Sequence, residues 1–237
     1  MTRTSRGDEM KRIDPKTGAQ EHHLAVRRTA RFWTLGEQQA AGELWVVLHG
    51  YKQLARRFLR RFAPLDDGSR FIVAPEALSR FYVSPSEGRH GVGSVVGATW
   101  MTREDRRHEI EDYVDYLDRL VGHVLPAHSK KPLTILGFSQ GVATASRWCV
   151  HGMARPVRLV LWGDTLPPDL DMNEAAVRLA SVDVTLVRGT QDPAISPDLV
   201  DDERARLTQA GIDYRVLTYA GGHDIDPGAL LRVAAGE

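Results

Sequence analysis

The sequence is poor in cysteine, has no excess of charge of either sign and lacks long apolar runs. Its single cysteine, Cys149, cannot form an internal disulfide. The 31 basic residues balance the 31 acidic ones, so electrostatics alone does not favour a nucleic-acid partner. No apolar run approaches the roughly 18 residues of a membrane span, and the polar N-terminus lacks the apolar core of a signal peptide. These absences predict a cytoplasmic protein without a membrane span.

Motifs for metals and nucleotides are also missing. No Cys/His cluster has the spacing of a zinc site. A Gly-x-Gly fragment occurs at Gly91 and Gly93, but no strand leads into it and no P-loop lysine follows. The sequence therefore predicts neither a metal site nor a bound cofactor.

The stretch from Leu133 to Ala145 changes from a strand pattern to a helix pattern across a very short turn. An apolar run rich in β-branched residues, typical of a buried parallel strand, passes through Gly137-Phe-Ser-Gln-Gly141 into small, helix-compatible residues. Gly-x-Ser-x-Gly between a strand and a helix is the context of a nucleophile elbow. Such a turn is tight enough to require glycine on both sides. Ser139 is therefore the predicted nucleophile, and a purely structural turn is the alternative.

The rest of the chain alternates between strand and helix patterns. Further buried-strand patterns cover 44–48, 71–75, 157–162, 182–188 and 214–219, and helical patterns cover 52–62, 110–124, 201–210 and 227–235. This alternation predicts an α/β fold with a mostly parallel sheet and helices on both faces.

Three other segments complete the predicted organisation. Residues 1–20 are expected to form a flexible tail, so that a single domain covers 21–237. Alternation over 21–33 predicts an antiparallel edge hairpin ending near Gly36. The segment 76–103 is long for a connection, and we expect this loop to be a pocket wall or flap beside the active site.

A serine nucleophile needs a general base that is oriented by a carboxylate. In this architecture both follow the serine in the chain and lie after strands, in the order serine, acid, histidine. Asp192 follows the strand pattern that ends at Arg188, and His223 follows the one that ends at Tyr219. We predict these two residues as acid and base. Asp164 is the rival acid, because it follows the preceding strand.

The competing histidines and the oxyanion site are predicted from position. Only His151 also follows the serine, and it is expected on the surface, away from the strand ends. The developing oxyanion needs two amide donors. The amide of Gln140 follows the nucleophile, and glycine in His49-Gly50-Tyr51 lets the chain bend so that the amide of Tyr51 faces the serine. His49 itself is expected to brace this loop and not to act as a catalyst.

Four motifs together resemble the phospholipase/carboxylesterase branch of the α/β-hydrolases, which includes the acyl-protein thioesterases. They are Leu48-His-Gly50, Gly137-Phe-Ser-Gln-Gly141, Gly189-Thr-Gln-Asp192 and Gly221-Gly-His223, in the family's order. The resemblance implies an α/β-hydrolase fold with an eight-stranded, mostly parallel sheet, no cofactor and hydrolysis of carboxylic or thio esters.

The function expected from these motifs is hydrolysis of a small-molecule carboxylic ester through an acyl-enzyme. A thioesterase or lysophospholipase acting on long acyl chains is the alternative within the same enzyme class. A hydrolase-like binding protein without turnover is the alternative outside it. The sequence leaves the oligomeric state open, a homodimer included.

Overall fold

The computed structural model describes residues 13–83, 90–125 and 129–237. The strands are β1 (Phe32–Leu35), β2 (Glu43–Leu48), β3 (Arg70–Pro75), β4 (Ser79–Tyr82), β5 (Val96–Thr99), β6 (Leu133–Phe138), β7 (Arg158–Trp162), β8 (Asp183–Gly189) and β9 (Arg215–Tyr219). The helices are α1 (Ala55–Leu59), which continues into a 3-10 helix at Arg60–Leu65, α2 (Arg106–Val124), α3 (Gln140–His151), α4 (Met172–Leu179), α5 (Pro197–Ala210) and α6 (Pro227–Ala235).

Seven of these strands form one central sheet in the order β1-β3-β2-β6-β7-β8-β9. Every neighbouring pair is parallel except β1 and β3, which are antiparallel. The predicted α/β class with a mostly parallel sheet is confirmed. In the described part of the chain the central sheet has one strand fewer than the eight that the resemblance implies.

The strand order reverses between β2 and β6. From β2 the chain moves outward to β3, and it then returns to the other side of β2 to place β6. Parallel α/β sheets bind ligands in the crevice that such a reversal opens at the carboxyl ends of the strands. In this chain, β2 is followed directly by His49-Gly50-Tyr51, and β6 is followed directly by Ser139.

Helices cover both faces of the sheet because its strands are apolar on both sides. In β2, Leu44, Val46 and Leu48 pack into one buried cluster, whereas Trp45 and Val47 pack into another. This alternation follows the two-residue period of a strand. The first cluster includes side chains of α2, α3, α4 and α5, and the second includes those of α1, the 3-10 helix and α6.

The edge hairpin predicted over 21–33 is wrong for 21–31, although an antiparallel edge strand does end just before Gly36. Residues 21–31 belong to no strand, and the edge strand is β1, which pairs antiparallel with β3. Leu24 and Val26, which suggested the alternation, are 86% and 78% exposed. Their apolar side chains have no sheet face to pack on, so the pattern has no structural counterpart.

Other departures from the sequence predictions are smaller. Strands β4 and β5 form a separate antiparallel pair inside the segment predicted as a long loop, 76–103. Helix α4 also has no counterpart among the predictions. Of the predicted tail, residues 1–12 lie outside the described residues, and Ile13 forms an antiparallel bridge with Gln20. No helix in the described parts of the chain is long and apolar enough to cross a membrane.

Candidate active site

Ser139 stands in the turn between β6 and α3 with a backbone conformation that few non-glycine residues adopt. Its φ and ψ are 53° and −123°. Positive φ in a non-glycine residue costs roughly 1–3 kcal/mol and persists only where the surroundings enforce it. Here the amide of Ser139 donates to the carbonyl of Trp162 at 2.8 Å, and its carbonyl accepts from the amide of Val142 at 2.7 Å. The strained serine is thus held from both sides.

The two glycines of the turn are required by steric contact. A Cβ on Gly137 would lie 2.2 Å from the carbonyl oxygen of Gly141, and a Cβ on Gly141 would lie 2.3 Å from that of Leu48. Both distances are far inside van der Waals contact. The prediction that positions two before and two after the serine tolerate almost no side chain therefore matches the packing.

The structure brings His223 and Asp192 together after β9 and β8. Nδ1 of His223 lies 2.8 Å from Oδ2 of Asp192, whose side chain is completely buried. The other carboxylate oxygen of Asp192 accepts from the amide of Ala194 at 2.9 Å. Since a carboxylate only accepts, Nδ1 carries the proton of a neutral His223 ring and Nε2 is left as its basic nitrogen.

Close packing of the two loops makes this contact possible. A Cβ on Gly189 would lie 2.4 Å from the carbonyl oxygen of Gly221 and 2.6 Å from that of Gly222. The amide of Gln191 donates to the carbonyl of Gly221 at 2.9 Å. Gly189 thus lets the loop that carries the acid lie directly against the loop that carries the histidine.

Among the described residues, neither rival, Asp164 or His151, forms a hydrogen bond or ion pair with the residues of the candidate site. Asp164 lies close enough for its charge to interact with His223, but its Oδ1 accepts from the amide of Thr165, and burial raises the pKa of its carboxyl. His151 is exposed at the C-terminal end of α3 and lies 3.6 Å from Glu174. The carboxylate in contact with His223 is therefore that of Asp192.

Ser139 and His223 lie at the same edge of the sheet. The ring of Phe138, the residue before the serine, has its centroid 4.9 Å from that of His223. Gly163 comes directly after Trp162, whose carbonyl accepts from the Ser139 amide. A Cβ on Gly163 would lie 3.4 Å from Cε1 of His223. Within the described residues, no hydrogen bond joins the Ser139 hydroxyl to His223.

The two amides predicted to bind an oxyanion have no acceptor among the described residues. The amide of Gln140 is the first of α3, and first-turn amides have no acceptor within their own helix. The amide of Tyr51 lies in the turn after β2 and likewise has no acceptor there. The N-terminal end of α3 also contributes partial positive charge next to Ser139. These features suit stabilisation of a developing negative charge.

Gly50 allows the loop after β2 to approach the serine closely. A Cβ at this position would lie 3.1 Å from the Cβ of Ser139 and 3.2 Å from Cδ1 of Phe138. Both contacts are tighter than ordinary van der Waals packing, so a side chain here would require the loop or its neighbours to shift by a few tenths of an ångström. The side-chain oxygen of Gln53 accepts from the Gly50 amide at 2.9 Å and adds a polar brace.

His49 is completely buried under this loop and braces it. Its Nε2 accepts from the amide of Ala77 at 3.1 Å, so its Nδ1 carries the proton and donates to the carbonyl of Gly50 at 2.8 Å. Its own carbonyl accepts from the indole of Trp100 at 2.8 Å. Burial lowers the pKa of His49 to about 4, which keeps the ring neutral near pH 7. These contacts fit the predicted bracing role.

Sequence reasoning missed the side chain of Gln140 and its partners after β5. The carboxamide nitrogen donates to Oγ1 of Thr99 and to the carbonyl of Met101, both at 2.9 Å. The carboxamide oxygen accepts from the Trp100 amide at 3.1 Å. Strand β5 also contacts the loop that contains Tyr51, because the amide of Lys52 donates to the carbonyl of Ala98 at 3.0 Å. No motif around Thr99 signals this bridge.

Neither a protein-family model nor a curated protein matches the chain. Solved structures do resemble it. Esterase PE8 is 21% identical with a TM-score of 0.63, over 89% of this chain and 98% of that one. Acyl-protein thioesterase 2 of Zea mays is 18% identical with a TM-score of 0.66, over 88% and 97%. A carboxylesterase of Bacillus cereus is 14% identical with a TM-score of 0.61, over 87% and 92%. The predicted α/β-hydrolase fold is confirmed, and in its fold the chain is similar to these esterases and this thioesterase.

Proposed function

We propose that the protein is a serine hydrolase that cleaves carboxylic esters through Ser139, His223 and Asp192. The observation that carries the proposal is the 2.8 Å contact between Nδ1 of His223 and the fully buried carboxylate of Asp192. It lies at the strand-end edge where Ser139 is held with a φ of 53°. A buried carboxylate beside an imidazole orients the ring and stabilises its charged form, as a general base requires.

In the first half of the reaction, the Ser139 hydroxyl attacks the ester carbonyl while Nε2 of His223 takes its proton. Asp192 holds the ring through Nδ1 and stabilises the imidazolium. The described residues show no hydrogen bond between the Ser139 hydroxyl and His223. In enzymes without bound substrate, catalytic hydrogen bonds of this kind are often long and shorten only when substrate binds. His223 then gives the proton to the leaving alcohol, and the serine carries the acyl group.

In the second half, water attacks the acyl-enzyme. Nε2 of His223 takes a proton from the water and returns it to the Ser139 oxygen as the acid leaves. In both halves the amides of Tyr51 and Gln140 donate to the tetrahedral oxyanion. Loss of one such donor typically costs about 10²–10³ in kcat. The structural support for these donors is that both amides lack an acceptor in the described part of the chain.

The proposal has two versions, which differ in whether the substrate is a carboxylic ester or a thioester. The similarity to esterase PE8 and to the Bacillus cereus carboxylesterase supports a carboxylic ester as substrate, whereas the similarity to the Zea mays acyl-protein thioesterase supports a thioester. A series of p-nitrophenyl esters and matched thioesters of increasing acyl length separates the two. We expect short carboxylic esters to give the highest kcat/KM. A steady rise with acyl length, or a preference for thioesters, would favour the long-chain thioesterase or lysophospholipase instead.

The central test is Ser139→Ala assayed with a p-nitrophenyl ester. We expect turnover to fall by roughly 10³-fold or more, because the nucleophile acts as a unit with its base. The matched control is Ser181→Ala, an exposed serine before β8, which should keep the wild-type rate. Labelling by a fluorophosphonate probe distinguishes an active enzyme from a binding protein without turnover. Wild-type turnover by Ser139→Ala, or absence of labelling in the wild type, contradicts the proposal.

A further inference from the structure

Two histidines and an aspartate from distant parts of the sequence meet at the start of α2. Nε2 of His23 lies 3.3 Å from Oδ2 of Asp105, and Nδ1 of His108 lies 2.6 Å from Oδ1 of the same carboxylate. The two imidazole rings have their centroids 3.9 Å apart. One potential ligand atom from each residue lies within 4.8 Å of the other two.

These distances approach those of a tetrahedral metal site. Ligand atoms about 2 Å from a zinc ion are separated from one another by roughly 3.3 Å. Of the two nitrogen–oxygen distances, the one from His23, 3.3 Å, equals that value, and the one from His108, 2.6 Å, is shorter. To share one ion, the His108 ring would exchange its present hydrogen bond to Oδ1 of Asp105 for the metal, and the three ligand atoms already lie within 4.8 Å of one another. Three protein ligands also leave a fourth position for water.

The charge balance around His23 and His108 favours a divalent cation over two protonated rings. Two imidazolium ions with centroids 3.9 Å apart would repel each other, whereas two neutral rings can both donate lone pairs to one ion. The positive end of α2 and the guanidinium of Arg107, which lies 3.4 Å from Nε2 of His108, both oppose a cation there. Asp105 and the nearby carboxylate of Glu21, 3.5 Å from Nε2 of His23, offset that effect.

Solvent reaches this cluster through a cavity at the surface. The cavity has a volume of about 970 Å³ and is lined on one side by 23–32 and on the other by α2. His23, Asp105 and His108 are all part of its wall, and it includes neither Ser139 nor His223. An ion can therefore enter without any rearrangement of the core.

We propose that His23, Asp105 and His108 bind one transition-metal ion of the Zn²⁺ type, which ties the segment after Gln20 to the start of α2. Imidazole donors suit zinc and its neighbours, whereas Mg²⁺ prefers oxygen ligands. Sequence spacing does not reveal this site, because His23 is remote from Asp105 and His108 in the chain.

The test is a titration of the full chain, without an added histidine tag, with Zn²⁺ alone. We expect one equivalent to bind saturably and, at about 100 times the Kd, to raise Tm by roughly 5–10 °C. Mg²⁺ at the same concentration should leave Tm unchanged. His23→Ala and His108→Ala should each weaken binding by at least about tenfold, since loss of even an outer-shell partner has that effect.

The matched control is His22→Ala, which removes the exposed neighbouring histidine outside the cluster. It should bind Zn²⁺ as tightly as the wild type. Binding that His22→Ala weakens as much as His23→Ala does would overturn the proposal. So would the absence of saturable binding, an equal effect of Mg²⁺, or wild-type affinity in both cluster variants.

Discussion

Lowering the pH from about 7 to about 4.5 is expected to destabilise the protein through His49, the buried histidine under the Tyr51 loop. Burial lowers the pKa of His49 from its ordinary value of 6.5 to about 4. In the unfolded chain the ring takes up a proton as the pH falls through 6.5, but in the folded protein it stays neutral until about pH 4. A proton on Nε2 would also face the Ala77 amide that now donates to it. The contribution of the neutral His49 ring to the free energy of unfolding is therefore fully present above pH 6.5 and is lost as the pH falls from 6.5 to 4.

The size of the loss follows from the interval between the two pKa values, about 2.5 pH units. Each unit corresponds to about 1.36 kcal/mol. The His49 contribution to the loss is therefore at most about 3 kcal/mol, and it has reached about 2–3 kcal/mol at pH 4.5. Since small proteins have free energies of unfolding of about 5–15 kcal/mol, a loss of this size is readily measured.

Urea denaturation of the wild type and of His49→Gln at both pH values isolates this effect. Glutamine does not titrate, and all other groups titrate in both proteins. We expect the wild type to lose about 2–3 kcal/mol more than the variant on acidification, although the variant is less stable at pH 7. His151→Gln, at an exposed position, should behave as the wild type does. The reasoning fails if acidification destabilises wild type and His49→Gln equally, or if NMR shows the His49 ring titrating near pH 6.5.

Two further predictions concern the geometry of the active site. Gly50→Ala should lower kcat by roughly 10- to 100-fold, because the added methyl displaces the loop that carries an oxyanion donor. Gly42→Ala, whose Cβ would meet nothing closer than 3.7 Å, should keep the wild-type kcat, and equal rates for both variants would exclude the steric argument. Asp192→Asn should lower kcat by a factor on the order of 10⁴, by analogy with serine proteases, whereas Asp164→Asn should change it only a few-fold. The opposite ranking in steady-state assays would assign the acid to Asp164.

Much of the fold could be predicted from short-range patterns. The apolar run at Leu133 predicts β6 because a strand buried on both faces needs apolar residues throughout. The same argument locates β2, β3, β7, β8 and β9 to within one residue at each end. The separate argument from alternation fails at Leu24 and Val26, where apolar and polar residues alternate but no sheet covers the apolar side chains. Alternation predicts a strand only where a neighbouring strand supplies partners.

Contacts between distant segments were harder to predict. The bridge from the Gln140 side chain to Thr99 and Met101 depends on where β5 lies, and β5 is only four residues long and has no clear pattern. The cluster of His23, Asp105 and His108 likewise depends on residues 21–31 lying alongside α2. A glutamine or an exposed histidine is chemically ordinary until its neighbours are known.

The sequence by itself determined the tight turn around Ser139, because its signal, a strand pattern, two glycines and a helix pattern, is contiguous in the chain. Within that turn a Cβ on Gly137 would meet the carbonyl of Gly141, whereas the demand at Gly141 comes from Leu48 of β2, which only the fold brings near. Only the tertiary structure decided which carboxylate meets His223. Asp164 and Asp192 both follow parallel strands, and the chain alone does not say whose loop packs closer. The packing of Gly189 against Gly221 and Gly222 brings Asp192 to 2.8 Å from the ring, whereas the Asp164 carboxylate accepts from the amide of Thr165.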